Sequence, residues 1–438
     1  MVFRTFQLFL FCLAAFASAA SVPLQESGFK PAANGLPTGW QTWAARPEIA
    51  PRTFVDTAHY RRAPGSLAIS GNSNAAEYGG WEYTASHVEQ GKWYRFTAYY
   101  RADGISDERH QIVARVSWSQ QNGERAGRPD YAYATQRTGD WTRLSLDVPA
   151  PEGAADATVQ LFLQNAPYAT LWWDEVSLEQ IPAPAARQVR VATVNLHPHQ
   201  THSAEESVGQ FVQTIDKSVP AGTDVILLPE GITVVGTGKQ YADVAETLPG
   251  ATTERLGKVA RAKNAYIVAG LFEREGPAIY NTAVLIDRTG NLIGKYRKVY
   301  LPREEIEGGL TPGNDYPVFQ TDFGKVGIMI CWDVQYADPA RALAMRGAEM
   351  ILMPIWGGNE TLGKARAIEN KIFLISSGYD YPTSIVDPDG EMLAIAREPG
   401  TVAQATIDLN RRYLDPWLGD MRERFMKELR LDVQLDRR

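Results

Sequence analysis

The chain has 438 residues, more than a single hydrophobic core usually organises, so two or more domains are expected. Its hydrophobic and charged fractions, 44% and 22%, match globular proteins and exclude a largely disordered or collagen-like chain. The formal net charge of -7 repels phosphate backbones and anionic lipid, which argues against nucleic acid and membrane surfaces as partners.

At the N-terminus Arg4 precedes an apolar run from Phe6 to Phe16 and the small residues Ala17, Ser18 and Ala19, the layout of a secretory signal peptide over residues 1–20. An uncleaved anchor is the alternative reading. The run is short for a bilayer span, and no later stretch approaches the ~20 apolar residues that a transmembrane helix needs. A secreted or periplasmic protein is expected. Cys12 lies inside this run, behind Phe9, Leu10 and Phe11, which are too bulky for lipoprotein processing. Export would leave Cys331 as the one thiol, with no partner for an intrachain disulfide. Such a thiol is either buried and inert or kept for its chemistry.

Residues 25–181 read as an all-β domain, because runs rich in Tyr, Trp, Thr and Val alternate with turn clusters such as Gly71-Asn72-Ser73-Asn74 and Gly139-Asp140. The clearest predicted strands are Tyr94 to Tyr100, Gln111 to Trp118, Trp141 to Val148 and Thr158 to Leu163. A jelly-roll-like sandwich fits this pattern. Through Gly91-Lys92-Trp93-Tyr94-Arg95-Phe96 and Trp172-Trp173-Asp174-Glu175-Val176-Ser177-Leu178 the segment resembles carbohydrate-binding jelly rolls of the galactose-binding-like kind. That resemblance implies a possible glycan contact, with Trp40, Trp43, Trp81 and Trp118 as stacking candidates. The favoured alternative is that these indoles fill the core and an interdomain seam.

Residues 182–187 form a linker, since Pro182-Ala183-Pro184-Ala185-Ala186 cannot join a sheet ladder. Over 188–412 apolar strand runs alternate with amphipathic helices, an α/β or layered α+β pattern. Predicted strands are Val189 to Leu196, Asp224 to Leu228, Ala265 to Leu271, Lys325 to Ile330, Met350 to Met353, Ile372 to Ser376 and Val402 to Ile407. Hairpins are predicted at Thr289-Gly290 and Asp387-Pro388-Asp389-Gly390. Ser203, with Glu206 in capping-box position, opens a helix whose stripe is Val208, Phe211, Val212 and Ile215; Asp338 and Pro339 cap and open another. A tail follows over 413–438.

Three polar residues end apolar strands: Glu230 after Asp224-Val225-Ile226-Leu227-Leu228-Pro229, Lys298 after Gly294-Lys295-Tyr296-Arg297, and Cys331 after Gly327-Ile328-Met329-Ile330. Strand ends hold side chains rigidly at a crevice, so distant residues can converge there. A thiol becomes a nucleophile when a carboxylate takes its proton or a cation stabilises its thiolate. Glu230 and Lys298 supply one of each. The Lys298 ammonium and the Trp332 N–H are suited to stabilise the negative charge that forms after attack.

Leu228-Pro229-Glu230, Tyr296-Arg297-Lys298-Val299-Tyr300-Leu301-Pro302 and Gly327-Ile328-Met329-Ile330-Cys331-Trp332-Asp333 resemble, in order and spacing, the three signature segments of the nitrilase superfamily. Tyr280-Asn281-Thr282-Ala283, Thr311-Pro312-Gly313 and Arg366-Ala367-Ile368-Glu369-Asn370 support the resemblance, which covers nearly all of 188–410. It implies a four-layer αββα sandwich, a Glu-Lys-Cys triad, a second glutamate beside the lysine, and assembly into homo-oligomers in which the tail with Trp417 could take part. Glu304, Glu305 and Glu307 compete for the second-glutamate role, with Glu305 favoured and Glu307 next; Asn281, Trp332 and Glu307 are candidates for positioning substrate or oxyanion.

The reaction implied is hydrolysis of a small amide, or less readily a nitrile, through a cysteine thioester with no metal or organic cofactor. Two alternatives stand beside it: acyl transfer to an amine by the same triad, and a glycan-binding protein on a catalytically silent scaffold. His197, His199 and His202 suggest a metal site, but Pro198 intervenes and the spacing does not set them on one helix face, so a loop at the substrate entrance is the plainer account.

Overall fold

The computed structural model describes residues 21–22, 28–430 and 433, so the predicted signal peptide and Cys12 lie outside the described residues. The chain divides into two compact units: residues 185–415 with 420–422, and the preceding residues joined by 416–419 and the chain beyond Glu423. Residues 182–187 carry no regular structure, as the proline–alanine alternation predicts. The tail is not a separate appendage. It contributes the helix Met421–Glu428, whose Glu423 accepts the Tyr131 N–H at 2.7 Å.

The N-terminal unit consists of two antiparallel sheets. The larger runs in the order Arg52–Asp56, Ser66–Ser70, Thr170–Ile181, Trp93–Asp103, Trp141–Pro149, Ala134–Thr138, with Ser21–Val22 also paired to Thr170–Ile181. The smaller runs Trp40–Ala44, Tyr78–Ser86, Asp156–Gln164, Ile112–Ser119, Asp130–Tyr131. Alternate residues such as Tyr94, Phe96, Val159, Leu161 and Trp173 share one buried core. The four predicted strands are present, three with longer bounds and the second shifted by one residue to Ile112–Ser119. Gln111, however, closes the helical turn Glu108–Gln111, because Asp107 caps it by accepting the Arg109 and His110 N–H groups. Trp40, Trp81 and Trp118 are core residues, and Trp43 is half-buried on Phe162 with ring centroids 5.1 Å apart.

In the second unit, one six-stranded sheet runs Leu292–Arg297, Ala278–Ile286, Tyr266–Glu275, Val225–Leu227, Gln188–Asn195, Thr401–Asp408. The other runs Val318–Gln320, Lys325–Ile328, Met350–Pro354, Phe373–Ser377, Thr383–Val386, Met392–Ala396. Val191, Val225, Leu227 and Val268 from the first sheet share a core with Val326, Ile328, Leu352 and Leu374 from the second. Ala192, Ile226, Ile267 and Ala269, on the opposite face of the first sheet, pack against Phe211 and Ile215 of helix Ala204–Ser218 and Leu256 of helix Ala251–Lys263. The two-residue period of a strand explains why its neighbours face different cores.

Several boundaries depart from the sequence expectation. The Ser203 hydroxyl does accept the Glu206 N–H at 3.2 Å, but the Glu206 carboxylate reaches past the cap to the His202 N–H at 2.7 Å. Asp338 lies inside its helix, Asp338–Met345, with Ala337 at the cap position. Helices Ala251–Lys263 and Glu360–Asn370 were not marked by the apolar pattern; the buried face of the first includes Thr252, Thr253 and Gly257, which give a weak stripe.

The sheet framework holds the Glu230 segment closely. The Pro229 carbonyl accepts the Gly270 N–H at 3.0 Å and the Ile232 N–H donates to the Gly270 carbonyl at 2.8 Å, so residues 229–232 run tight against strand Tyr266–Glu275. A Cβ on Gly270 would sit 2.6 Å from the Glu230 Cα. Gly270→Ala should therefore cost about 1–3 kcal/mol of stability, as overpacking does, and should lower turnover by displacing Glu230. Urea unfolding and steady-state rates check this, and a variant with unchanged turnover would contradict the proposed constraint.

Candidate active site

Glu230, Lys298 and Cys331 leave three different strand ends and meet at one cavity of about 680 Å³. Asn281 projects from strand Ala278–Ile286, and Glu305 from the short helix Arg303–Glu307. The Lys298 ammonium donates to Glu230 Oε1 and to Glu305 Oε1, each at 2.9 Å. Asn281 Nδ2 donates to the same two oxygens at 2.7 and 2.8 Å. Two carboxylates are thus bridged twice, once by a cation and once by an amide. Their other oxygens, Glu230 Oε2 and Glu305 Oε2, are buried without a hydrogen-bond partner, as is Asn281 Oδ1.

The charges follow from this geometry. Burial opposes the Lys298 ammonium, but the carboxylate charges of Glu230 and Glu305 overcome that effect and hold it above the usual lysine range. Burial, opposed by Lys298 and reinforced by Glu230, pushes the Glu305 carboxyl up to about 7. Burial also pushes the Cys331 thiol up to about 12, with Glu230 adding to the rise and Lys298 opposing it. Burial thereby favours the protonated thiol, whose Sγ lies 3.6 Å from the Gly357 carbonyl oxygen.

Cys331 occupies the left-handed region at φ +42° and opens the helical turn Cys331–Gln335. A non-glycine residue there is strained and is kept in place by its surroundings. Fully buried Asp333 provides the restraint. Its Oδ2 accepts the Ile330 N–H at 2.9 Å and the Tyr296 hydroxyl at 2.7 Å, and its Oδ1 accepts the Tyr300 N–H at 3.0 Å. Asp333 thereby ties the nucleophile turn to the segment carrying Lys298. The Lys298 backbone is held as well, its N–H donating to Asn281 O at 2.9 Å and its carbonyl accepting the Gly313 N–H at 2.8 Å.

Of the sequence candidates, the structure brings together Glu230, Lys298, Cys331, Glu305 and Asn281. Glu307 is corrected: it is exposed and pairs with Arg303 at 2.7 Å, one helical turn away, on the opposite side of the helix from Glu305. Glu304 is exposed at the cavity rim. The Trp332 indole is exposed, while its N–H stands at the start of the Cys331 turn, where N–H groups have no partner inside the turn. His197 packs on Tyr379 with ring centroids 5.0 Å apart, and among the described residues no group of three or more His, Cys, Asp or Glu is arranged to hold a metal ion.

Sequence reasoning missed Asp333, Tyr379 and the cavity walls. The Tyr379 hydroxyl donates to the Glu230 carbonyl at 2.9 Å, and its ring meets Trp356 at 4.8 Å. Val234, Tyr241, Phe272 and Trp356 form the apolar wall of the cavity. Only Asp333 carried a local signal, as the third residue of Cys331-Trp332-Asp333.

A buried thiol, two carboxylates and an ammonium sharing one cavity fit an amidase- or nitrilase-type enzyme, and comparison with known proteins agrees. The family model for carbon-nitrogen hydrolases matches residues 190–415, just over half of the chain. The chain belongs to the carbon-nitrogen hydrolase family. Among curated relatives, the omega-amidase NIT2 of Xenopus tropicalis is 29% identical over 247 residues, covering 50% of this chain and 86% of the relative. A nitrilase of Pyrococcus abyssi is 33% identical over 242 residues, covering 50% of this chain and 90% of the relative. Among solved structures, an amidase from Nesterenkonia sp. is similar at 26% identity, 52% and 95% coverage and a TM-score of 0.45.

Removing the cation from the bridged set tests its electrostatics. In Lys298→Met, Glu230 and Glu305 would face each other without the ammonium, and breaking a buried pair costs about 3–5 kcal/mol. The Glu305 carboxyl, already raised to about 7 with the ammonium beside it, would titrate still higher without it. Protons are then bound more tightly in the fold, so stability is present at low pH and lost as pH rises through the folded values. The stability deficit of the variant should be larger near pH 8 than near pH 5, measured by chemical denaturation. An equal deficit at both values would show that the ammonium does not neutralise this pair.

Proposed function

We propose that the second unit hydrolyses small amides through a thioester on Cys331, with Glu230 moving protons and Lys298 stabilising the oxyanion. The observation that carries this reading is the joining of Glu230 and Glu305 to one Lys298 ammonium beside the cavity that Cys331 also lines. Because burial keeps the thiol neutral, its proton must leave as sulfur attacks. Glu230 Oε2, buried and without a partner, is the acceptor.

Sulfur bonds to the carbonyl carbon and the C=O electrons move to oxygen. An ammonium has three donors, of which two serve Glu230 and Glu305, so the third is free for this oxyanion, with the Trp332 N–H as second donor. Glu230 then passes its proton to the leaving nitrogen as the C–N bond breaks. Water attacks the thioester, Glu230 takes its proton, and the C–S bond breaks as Glu230 gives that proton to sulfur, which releases the acid and restores the thiol.

Two further unfilled acceptors, Glu305 Oε2 and Asn281 Oδ1, favour an amide over a nitrile, since an amide NH2 offers two donors and a nitrile none. Relatives bearing the name omega-amidase support the same ranking. The layered cores support an αββα sandwich for this unit, and the paired antiparallel sheets support a jelly roll for the first. We further place the protein outside the cytoplasm, as a homo-oligomer, on the N-terminal pattern and the family resemblance.

Cys331→Ala should abolish turnover with the fold intact, and Lys298→Ala should lower the rate on the order of a hundredfold or more. With wild-type enzyme and an amide substrate, intact-mass spectrometry should find the acyl group on Cys331. An acyl adduct that persists in Cys331→Ala, or a nearly normal rate in Lys298→Ala, would reject the corresponding role. A competing amine that captures most of the acyl group would make the enzyme a transferase.

A further inference from the structure

The N-terminal unit holds a second cavity, of about 440 Å³, within the ~300–1,000 Å³ of small-ligand pockets. Tyr100, Glu108, Arg109 and Tyr133 line it together with Lys427 of helix Met421–Glu428. Lys427 is 7% exposed. Its ammonium donates to the Ile112 carbonyl at 2.9 Å, and among the described residues no carboxylate stands in ion-pair range of it.

The acids of this wall are engaged elsewhere. Asp107 Oδ1 accepts the N–H groups of Arg109 and His110, and Glu108 Oε2 accepts the Tyr100 hydroxyl at 3.0 Å. Lys427 therefore keeps two donors of three for whatever occupies the cavity. Asp107 and Glu108 favour its charge only from beyond ion-pair range, so among the described residues the buried ammonium lacks a contacting counter-ion, an unfavourable state that suits a site for an anion. Burial, together with the Arg109 charge and against the charges of Asp107 and Glu108, draws the amine down to about 8, which still leaves it mostly protonated at neutral pH.

We propose that this cavity binds a small carboxylate-bearing ligand whose carboxylate pairs with Lys427 while the rest of the molecule lies along Tyr100 and Tyr133. Two sources share that chemistry: an acidic sugar, for which the aromatic and hydroxyl groups of the wall are suited, and a simple organic acid such as an amidase releases. The site is separate from the Cys331 cavity and does not depend on its chemistry.

The test uses full-length protein carrying Cys331→Ala, titrated calorimetrically with glucuronate, propionate and glucose. Binding of glucuronate alone identifies an acidic sugar, and binding of both acids identifies the simpler carboxylate; Lys427→Met should weaken either at least tenfold. Because Lys427→Met could fail to fold, a carbodiimide is also added to the Cys331→Ala protein with bound acid, which should join the carboxylate to the Lys427 amine as an amide located by peptide mass spectrometry. No binding of either acid, glucose binding as tightly as glucuronate, or coupling only at other lysines would overturn the proposal.

Discussion

A single ammonium held between two buried carboxylates is the constraint around which the second unit is arranged. Removing three charged groups from water is costly, and it is tolerated only where each charge meets a partner at short range. Lys298 meets Glu230 and Glu305, and Asn281 bridges the same two oxygens from the other side. That geometry requires four chain segments to be fixed relative to one another. The paired sheets supply the fixing, since Pro229 and Ile232 bond to Gly270, and Lys298 bonds to Asn281 and Gly313 through their backbones.

The nucleophile depends on the same arrangement. Burial raises the Cys331 thiol, so on the proposed mechanism its reactivity would reside in what Glu230 can accept rather than in a lowered acidity. Asp333 anchors the Cys331 turn to Tyr296 and Tyr300 on either side of Lys298. Tyr379 adds a link from the other sheet to the Glu230 backbone and the Trp356 wall. Catalytic groups and cavity wall are thus parts of one hydrogen-bonded frame.

Much of this site was legible in the sequence because strand ends are legible. Apolar runs that stop at Glu230, Lys298 and Cys331 announce a polar group at the edge of a sheet, and three such ends in family order identify the set. The choice among Glu304, Glu305 and Glu307 was not legible, because it depends on how helix Arg303–Glu307 is rotated. A step of two residues on a helix turns a side chain to the opposite side, so burying Glu305 exposes Glu307 to Arg303. The walls were silent for a different reason. Tyr241, Phe272 and Trp356 come from separate segments, and an aromatic that lines a cavity has the same local pattern as one that fills a core. In the first unit the strands were clear from their alternation, whereas the burial of Lys427 and Glu423 on a charged tail helix could only follow from the partners they meet, the Ile112 carbonyl and the Tyr131 N–H.

Storing the nucleophile as a neutral thiol has a consequence beyond turnover. Oxidants, like acyl groups, react with the thiolate, so a thiol raised to about 12 is a poor target for them in the absence of substrate. Activation then requires a group in the cavity that can receive sulfur while Glu230 receives the proton. In the proposed reaction a bound amide would provide such a carbon, and its nitrogen would later take the proton back. The burial that makes the charges of Lys298, Glu230 and Glu305 costly to assemble would therefore, on the proposed mechanism, also restrict the reactivity of Cys331 to an occupied cavity.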